Sequence, residues 1–81
     1  MKVLKFYADW CGPCKMLTKV LADVTVATPI EEVDIDENNA LAASFGIRGV
    51  PTCVLVDDNG VEVRRRVGMM TAKEFTEFVG E

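Results

Sequence analysis

The chain has 81 residues, 49% of them hydrophobic and 27% charged, with a formal net charge of −4, which predicts one domain over residues 1–81. The acidic balance argues against nucleic acid and anionic membranes as partners, and without an apolar run of about 20 residues no transmembrane helix is expected. The sequence contains no histidine, which excludes histidine metal ligands and histidine general bases.

The first two predicted elements meet at a pair of cysteines. Residues 2–8 are rich in Val, Leu, Phe and Tyr and predict a strand. Removing this strand with a signal peptide would delete the front of the fold, so we expect a mature, cytoplasmic protein. Pro13 suits the first turn of a helix. The apolar side chains that follow recur at helical spacing: Cys14, Leu17, Val20, Leu21 and Val24.

Three further elements are predicted in the middle of the chain. Residues 30–35 predict a second strand, in which apolar and acidic side chains alternate. A short helix follows, with Asn38 or Asn39 as its cap and Gly46 at its end. Residues 50–56 form an almost continuous apolar run, which is typical of a buried central strand.

The C-terminal part predicts a hairpin and a last helix. Residues 57–60 read Asp-Asp-Asn-Gly, and Asn-Gly tolerates the positive φ angles that a tight turn needs. Residues 61–67 form the return strand, and Thr71 with Glu74 forms a capping box for the last helix. The order β-α-β-α-β-β-α predicts an α/β fold with a mixed four-stranded sheet and helices on both faces. Its first two strands are parallel and its last two antiparallel.

The cysteine pair lies where the first strand ends and the first helix begins. Free backbone N–H groups and the helix dipole stabilise a thiolate at Cys11. Because the thiolate is the nucleophile, a pKa below the usual value of about 8.5 makes a cysteine reactive near neutral pH. Cys14 lies one turn further on, in the buried stripe of the helix. We therefore expect an exposed attacking thiol at Cys11 and a buried resolving thiol at Cys14.

Two other uses of the pair fit the sequence less well. A structural disulfide across two residues closes almost no loop and contributes little loop entropy. Zinc normally takes four ligands, and besides the pair the chain offers only Cys53 as a thiol. Cys53 itself is interpreted as a small buried hydrophobic residue, with a redox role as the alternative.

Four short motifs together resemble the thioredoxin family. They come in the family's order and roughly its spacing: WCGPCK at 10–15, VDID at 33–36, IRGVPT at 47–52 and VG at 67–68. The resemblance covers nearly the whole chain, without the extra N-terminal strand and helix of the usual member. It implies a thioredoxin-like fold and a monomeric protein-disulfide reductase of cell redox homeostasis that needs no bound cofactor and no metal. Expected partners are disulfide-containing proteins, among which ribonucleotide reductase is common for the family, and a thioredoxin reductase.

The resemblance also implies roles for residues around the cysteines. Gly12 and Pro13 form the active-site loop. Pro51 aligns with the family's cis-proline, so the backbone of Val50 would face Cys11 and pair with an extended substrate segment. The implied apolar contact surface consists of Trp10, Val50, Pro51, Gly68 and Met69. The alternative for Met69 is loop filling.

One departure from the family concerns two charges. Thioredoxins usually carry a buried aspartate at the position of Lys5 and often a lysine at the position of Glu32, so the signs are exchanged here. A buried charge is tolerable when it is paired. We expect Lys5 to favour the thiolate by its charge and Glu32 to take the proton from Cys14, directly or through water. The alternative is that both are ordinary surface charges.

The favoured function is therefore a thiol–disulfide oxidoreductase acting through Cys11 and Cys14. The alternatives are a glutathione-coupled, glutaredoxin-like enzyme and a non-catalytic binding subunit with the same fold. The residues after Gly68 do not form the Gly-Gly-x-x-Asp segment typical of glutaredoxins, which weakens the first alternative. Arg64-Arg65-Arg66 in the expected edge strand is interpreted as a charged edge that prevents aggregation. Docking of an acidic partner is the alternative for this run.

Overall fold

The chain folds into seven elements in the expected order. A computed structural model describes residues 1–81. The elements are β1 (Lys2–Tyr7), α1 (Gly12–Ala22), β2 (Ile30–Asp34), α2 (Asn39–Ser44), β3 (Thr52–Val56), β4 (Glu62–Val67) and α3 (Ala72–Val79). No helix among them is long and apolar enough to span a bilayer.

The strands form one mixed sheet in the order β2-β1-β3-β4. β1 pairs with β2 in parallel, whereas β3 is antiparallel to both β1 and β4. The two central strands are therefore β1 and β3, and every residue of β3 is buried, as its apolar run predicts. This is the predicted thioredoxin-like arrangement, and it places the carboxyl end of β1 beside the start of β3.

Side chains of the central strands alternate between the two faces of the sheet. One face packs against α1 and α3, and its core consists of Val3, Leu17, Cys53, Leu55, Met70, Phe75 and Val79. The opposite face packs against α2, and its core consists of Leu4, Phe6, Val33, Ala42, Val54 and Val56. Helices thus cover both faces, as the sequence predicts.

Local hydrogen bonds fix the ends of two elements. The Thr71 hydroxyl accepts a hydrogen bond from the Glu74 N–H at 3.1 Å, and the Glu74 carboxylate accepts one from the Thr71 N–H at 2.9 Å. This confirms the capping box of α3. In the hairpin, Gly60 takes a φ of 78°. Asp57 closes the turn by accepting hydrogen bonds from the N–H groups of Asn59 and Val61.

The structure refines three sequence-based expectations. Asn38, one of the two predicted cap positions, is the N-cap of α2, although its side chain does not cap the helix and donates instead to the Asp34 carbonyl oxygen at 3.3 Å. Asp34 is buried despite its place in the alternating pattern, because its carboxylate turns back to accept the Asp36 N–H at 2.8 Å. In the hairpin turn only Gly60 has a positive φ, and Asn59 does not. No residue other than glycine has a positive φ in this chain.

The arginine run lies in the edge strand β4, and each of its side chains is held within the molecule. The guanidinium groups donate to carbonyl and carboxylate oxygens of neighbouring segments: Arg64 to Phe78, Arg65 to Phe45 and Glu62, and Arg66 to Glu74. These contacts favour the interpretation of a charged, protected edge over that of a docking site, because each guanidinium already donates at least one hydrogen bond within the molecule.

Candidate active site

The cysteine pair is built by the junction of β1 and α1. Cys11 is the N-cap of α1, with extended backbone angles of φ −92° and ψ 106°. Its Sγ accepts a hydrogen bond from the Cys14 N–H at 3.1 Å. Cys11 and Cys14 form a disulfide with their Cα atoms 5.3 Å apart. A helix N-terminus therefore presents one of its free N–H groups directly to the sulfur of Cys11.

Both cysteines are covered in this oxidised form. Cys11 is 4% exposed and Cys14 is 2% exposed. They pack with Ala8, and Ile35 and Val50 lie against the cluster. The expectation of an exposed sulfur at Cys11 is therefore wrong for the disulfide state, because the bond to Cys14 and the loop before β3 cover it. The expectation of a buried Cys14 is confirmed.

The loop before β3 lies against Cys11. The Val50–Pro51 peptide bond is cis, as the resemblance implies. The carbonyl oxygen of Val50 lies 3.6 Å from the Sγ of Cys11. Gly68, with a φ of 91°, donates its N–H to the Pro51 carbonyl oxygen at 2.8 Å. The structure thus brings Val50, Pro51 and Gly68 beside the cysteine pair.

The expected contact surface is only partly exposed. Trp10 is 69% exposed and Met69 is 40% exposed, but the side chain of Pro51 is fully buried and adds no surface. Pro51 is buried because it packs under the loop. The prediction that Pro51 belongs to the contact surface is therefore wrong. Val67, just before Gly68 in the chain, is 63% exposed and was not among the predicted contact residues, although it belongs to the VG motif at 67–68.

A hydrogen bond fixes the orientation of Trp10. Its indole Nε1–H donates to Asp36 Oδ2 at 3.0 Å. Asp36 follows β2, on the other side of β1 from the loop that holds Val50. The exposed indole ring of Trp10 is therefore held in a fixed orientation, as an apolar surface next to Cys11 in the chain. The sequence-based set named Trp10 without this partner.

Lys5 and Glu32 form the expected pair, but with unequal burial. Lys5 Nζ lies 2.9 Å from Glu32 Oε1, and the side chains are 2% and 55% exposed, respectively. The alternative of two ordinary surface charges is wrong for Lys5, whereas Glu32 remains open to water. Lys5 Nζ also donates to the hydroxyl of Thr18 on α1, a residue absent from the sequence-based set.

A cleft of about 440 Å³ opens beside Cys14. Five of its eight lining residues have polar or charged side chains, although most of the exposed lining is apolar. The lining consists of Tyr7, Ala8, Asp9, Cys14, Lys15, Thr18, Lys19 and Glu32. Partial burial and the carboxylates of Asp34 and Asp9 raise the pKa of Tyr7, so this phenol stays neutral at physiological pH. The cleft joins the resolving cysteine to the carboxylate of Glu32 through a space that is open to water.

Residues 1–81 match the family model for thioredoxin. The chain belongs to the thioredoxin family. It is 35% identical to a thioredoxin of Haemophilus influenzae, with 98% of this chain and 77% of that protein covered. It is 40% identical to the SPbeta prophage-derived thioredoxin-like protein YosR of Bacillus subtilis, over 84% of this chain and 82% of that protein. A solved mutant thioredoxin from Halobacterium salinarum superposes with a TM-score of 0.85 at 42% identity, covering 95% of this chain and 69% of that chain.

Family membership and the cysteine pair together define the activity. A thioredoxin with a Cys11–Cys14 disulfide at the start of α1 is a thiol–disulfide oxidoreductase, an enzyme that exchanges disulfides with proteins. Thioredoxins act on disulfide-containing proteins and are themselves served by a thioredoxin reductase. This thioredoxin carries both sulfurs in bonding distance, which favours the enzyme over a binding subunit.

The third cysteine of this thioredoxin lies outside the redox pair. Cys53 is completely buried in β3, opposite Lys5 in the β1–β3 register. Burial raises the pKa of its thiol to about 11, against the lowering effect of the Lys5 charge. The thiol is therefore protonated and shielded at neutral pH, as its interpretation as a buried hydrophobic residue requires.

Proposed function

We propose that this thioredoxin reduces disulfides in partner proteins, with Cys11 as the attacking thiol and Cys14 as the resolving thiol. The observation that carries the assignment is the hydrogen bond of 3.1 Å from the Cys14 N–H to the Sγ of Cys11. In the dithiol form the same N–H and the helix dipole stabilise a thiolate at that position. Gly12 and Pro13 form the turn that presents this N–H.

The reaction proceeds in two exchanges. The Cys11 thiolate attacks one sulfur of the partner's disulfide, a mixed disulfide forms, and the partner's other sulfur leaves as a thiolate. Cys14 loses its proton and attacks the Sγ of Cys11. The Cys11–Cys14 bond forms, and the second partner sulfur leaves. Two electrons pass to the partner, whose thiolates take up protons, and a thioredoxin reductase restores the dithiol. The exchange itself uses no cofactor and no metal.

Glu32 and Lys5 are proposed to assist the second exchange. Glu32 lines the same cleft as Cys14 and is 55% exposed, so water can carry the proton from the thiol to its carboxylate. The ammonium of Lys5 is buried within hydrogen-bonding distance of Thr18 on the helix that carries Cys14. A buried positive charge near a developing thiolate lowers the energy of the charged form.

Partner proteins are proposed to bind across Trp10, Val50, Gly68 and Met69. An extended segment of the partner pairs with the free backbone of Val50, and the exposed side chains of Trp10 and Met69 supply apolar contact. Pro51 shapes the loop from beneath. Pro51→Ala is therefore expected to slow the reduction of a protein disulfide, and an unchanged rate would contradict this role.

The proposed setting is a reducing cytoplasm, in which residues 1–81 act as one monomeric domain. A net charge of −4 supports a partner that is neither nucleic acid nor membrane. Ribonucleotide reductase is proposed as one disulfide-bonded substrate, on the strength of the family alone. Substrate capture from the native cytoplasm by a trapping variant would identify the partners.

A trapping experiment tests the order of attack. Cys14→Ser retains Cys11 but lacks the resolving thiol. It should therefore accumulate a mixed disulfide with insulin whose native disulfides are intact, and peptide mapping should place this mixed disulfide on Cys11. Cys11→Ser is the matched control and should accumulate none. A stable adduct on Cys14 in the control, at the level of the first variant, would reverse the proposed roles.

A further inference from the structure

Thr18 links the resolving cysteine to the buried lysine. It lies one turn after Cys14 on α1, and its Oγ1–H donates to the Cys14 carbonyl oxygen at 3.1 Å. The same hydroxyl oxygen accepts a hydrogen bond from Lys5 Nζ. One hydroxyl therefore connects the backbone of Cys14 on α1 to the ammonium of Lys5 on β1.

The ammonium of Lys5 donates hydrogen bonds to acceptors on two different elements. Thr18 is on α1, and Glu32 is on the outer strand β2. The side chain of Lys5 is 2% exposed, so water screens its charge weakly.

We propose that Thr18 is a positioning residue that holds the Lys5 ammonium against the turn of α1 that carries Cys14 and thereby sets the pH range in which Cys14 resolves the mixed disulfide. This inference rests on the proposed roles of Cys14 and Lys5. Thr18 forms and breaks no bond in the reaction. Its hydroxyl keeps a positive charge near the sulfur on which negative charge develops when Cys14 loses its proton.

The other titratable groups around Cys14 and Lys5 are unchanged by a substitution at Thr18. Those that line the cleft are Tyr7 and Asp9 from β1 and the turn after it, Lys15 and Lys19 from α1, and Glu32 from β2. The thiol of Cys53 on β3 lies opposite Lys5. A variant that removes only the Thr18 hydroxyl keeps all of them. A shift in the pH profile of the second exchange would therefore report on the link between Thr18 and Lys5.

The test compares Thr18→Val with Thr18→Ser. Reduced protein is mixed with a chromogenic aryl disulfide in a stopped-flow instrument: attack by Cys11 releases the first aryl thiolate, and attack by Cys14 releases the second. For Thr18→Val we expect the second release to be about tenfold slower at neutral pH, with a midpoint about one pH unit higher. Thr18→Ser should restore both to within about twofold. Thr18→Ala, which also lacks the hydroxyl, gives the same readout if Thr18→Val folds poorly.

Two results would overturn the proposal. One is a wild-type midpoint in Thr18→Val and Thr18→Ala. The other is an equal shift in Thr18→Ser, which would assign the effect to side-chain shape. Lys5→Met distinguishes a failure of the Thr18 proposal from a failure of the proposed role of Lys5 in the second exchange. If Lys5→Met shifts the midpoint and Thr18→Val does not, the link is wrong and the role of Lys5 stands; if neither shifts it, both are wrong. If both shift it, the double variant should show no further shift, because the two residues act through one charge.

Discussion

The two sulfurs of one disulfide lie in contrasting surroundings. On the Cys11 side, the Sγ lies 3.6 Å from the Val50 carbonyl oxygen; Trp10 precedes Cys11 in the chain and is exposed, and so is Met69, which follows the Gly68 that bonds to Pro51. On the Cys14 side, a cleft with ionisable walls leads to Glu32. An apolar surface beside the Val50 backbone suits a partner chain, whereas an open cleft bordered by a carboxylate suits proton transfer. In the proposed mechanism, partner binding and proton transfer therefore take place one helical turn apart.

The largest effect is expected from removing either sulfur of the pair. Cys11→Ser and Cys14→Ser should each lower the turnover of insulin reduction by about 1,000-fold or more, because a complete cycle needs both sulfurs. Cys53→Ala is the control: its buried thiol takes no part, so turnover should stay within about twofold of wild type. Near-normal turnover in a variant of either paired cysteine would contradict the claim that both sulfurs are needed for the reaction.

A change at Glu32 should affect only the Cys14 side. In Glu32→Gln we expect the second exchange to slow by about 100-fold, the lower end of what general acid–base catalysis contributes. The first exchange should be unchanged. Glu31→Gln is a matched control, since Glu31 is the neighbouring acid of β2 and pairs with Lys2 instead. Stopped-flow release of both leaving thiols resolves the two steps, and equal slowing of both would remove the assigned role.

A change at Trp10 should affect only the Cys11 side. Tryptophan is enriched among the interface residues whose truncation costs more than about 1 kcal/mol of binding, so Trp10→Ala should raise the KM for a protein disulfide by about tenfold. The rate with a small aryl disulfide should hardly change. Met16→Ala removes a similarly exposed apolar side chain from α1 and serves as the control. A KM for Trp10→Ala equal to that of the control would show that no partner contacts the ring.

The smallest effect on activity is expected from the start of α3, where Thr71 and Glu74 hydrogen-bond with each other, and Glu74 with Arg66, but neither bonds to the cysteines, Val50 or Glu32. Thr71→Ala removes the capping hydroxyl and should lower the free energy of unfolding by about 1 kcal/mol in a urea titration, with normal exchange rates. The Thr71 N–H and hydroxyl and the Arg66 guanidinium lower the pKa of Glu74 to about 2. The stability that the ionised Glu74 contributes to the folded protein is therefore fully present at pH values above the glutamate pKa of the unfolded chain. It is lost as the pH falls towards 2.

Glu74→Gln checks that pH dependence. Its unfolding free energy should fall less steeply with acidity than that of wild type below the ordinary glutamate pKa. The exchange rates at neutral pH should match wild type. Altered cysteine reactivity in either α3 variant would mean that global stability, and not the local surroundings, sets the behaviour of the two sulfurs.

Much of the fold could be predicted because its signals are local. The capping box joins Thr71 and Glu74 across three residues, and the Asp57–Gly60 turn closes within its own segment. The apolar run of β3 reflects burial on both faces of a central strand. Strand pairing then follows from the order of the elements and the rules of connection.

The site was less predictable because it depends on contacts between distant segments. Cys11 is covered by Val50, 39 residues away, so no local pattern indicates its burial. Thr18 reads as an ordinary helix residue, and its link to Lys5 spans 13 residues across the packing of α1 on β1. The sequence pattern of β2 predicts that Asp34 alternates with apolar residues along the strand. The turn that follows it in the structure buries its carboxylate, which accepts the Asp36 N–H.

Timed alkylation of the reduced native protein tests the division between the two sulfurs most directly. Each thiol is labelled with an isotope-coded reagent over a series of short times and pH values and then mapped by mass spectrometry. The account predicts that Cys11 is labelled first at neutral pH, that Cys14 follows more slowly, and that Cys53, with a pKa of about 11, is labelled only after unfolding or in strong alkali. Faster labelling of Cys14 or Cys53 than of Cys11 would contradict it.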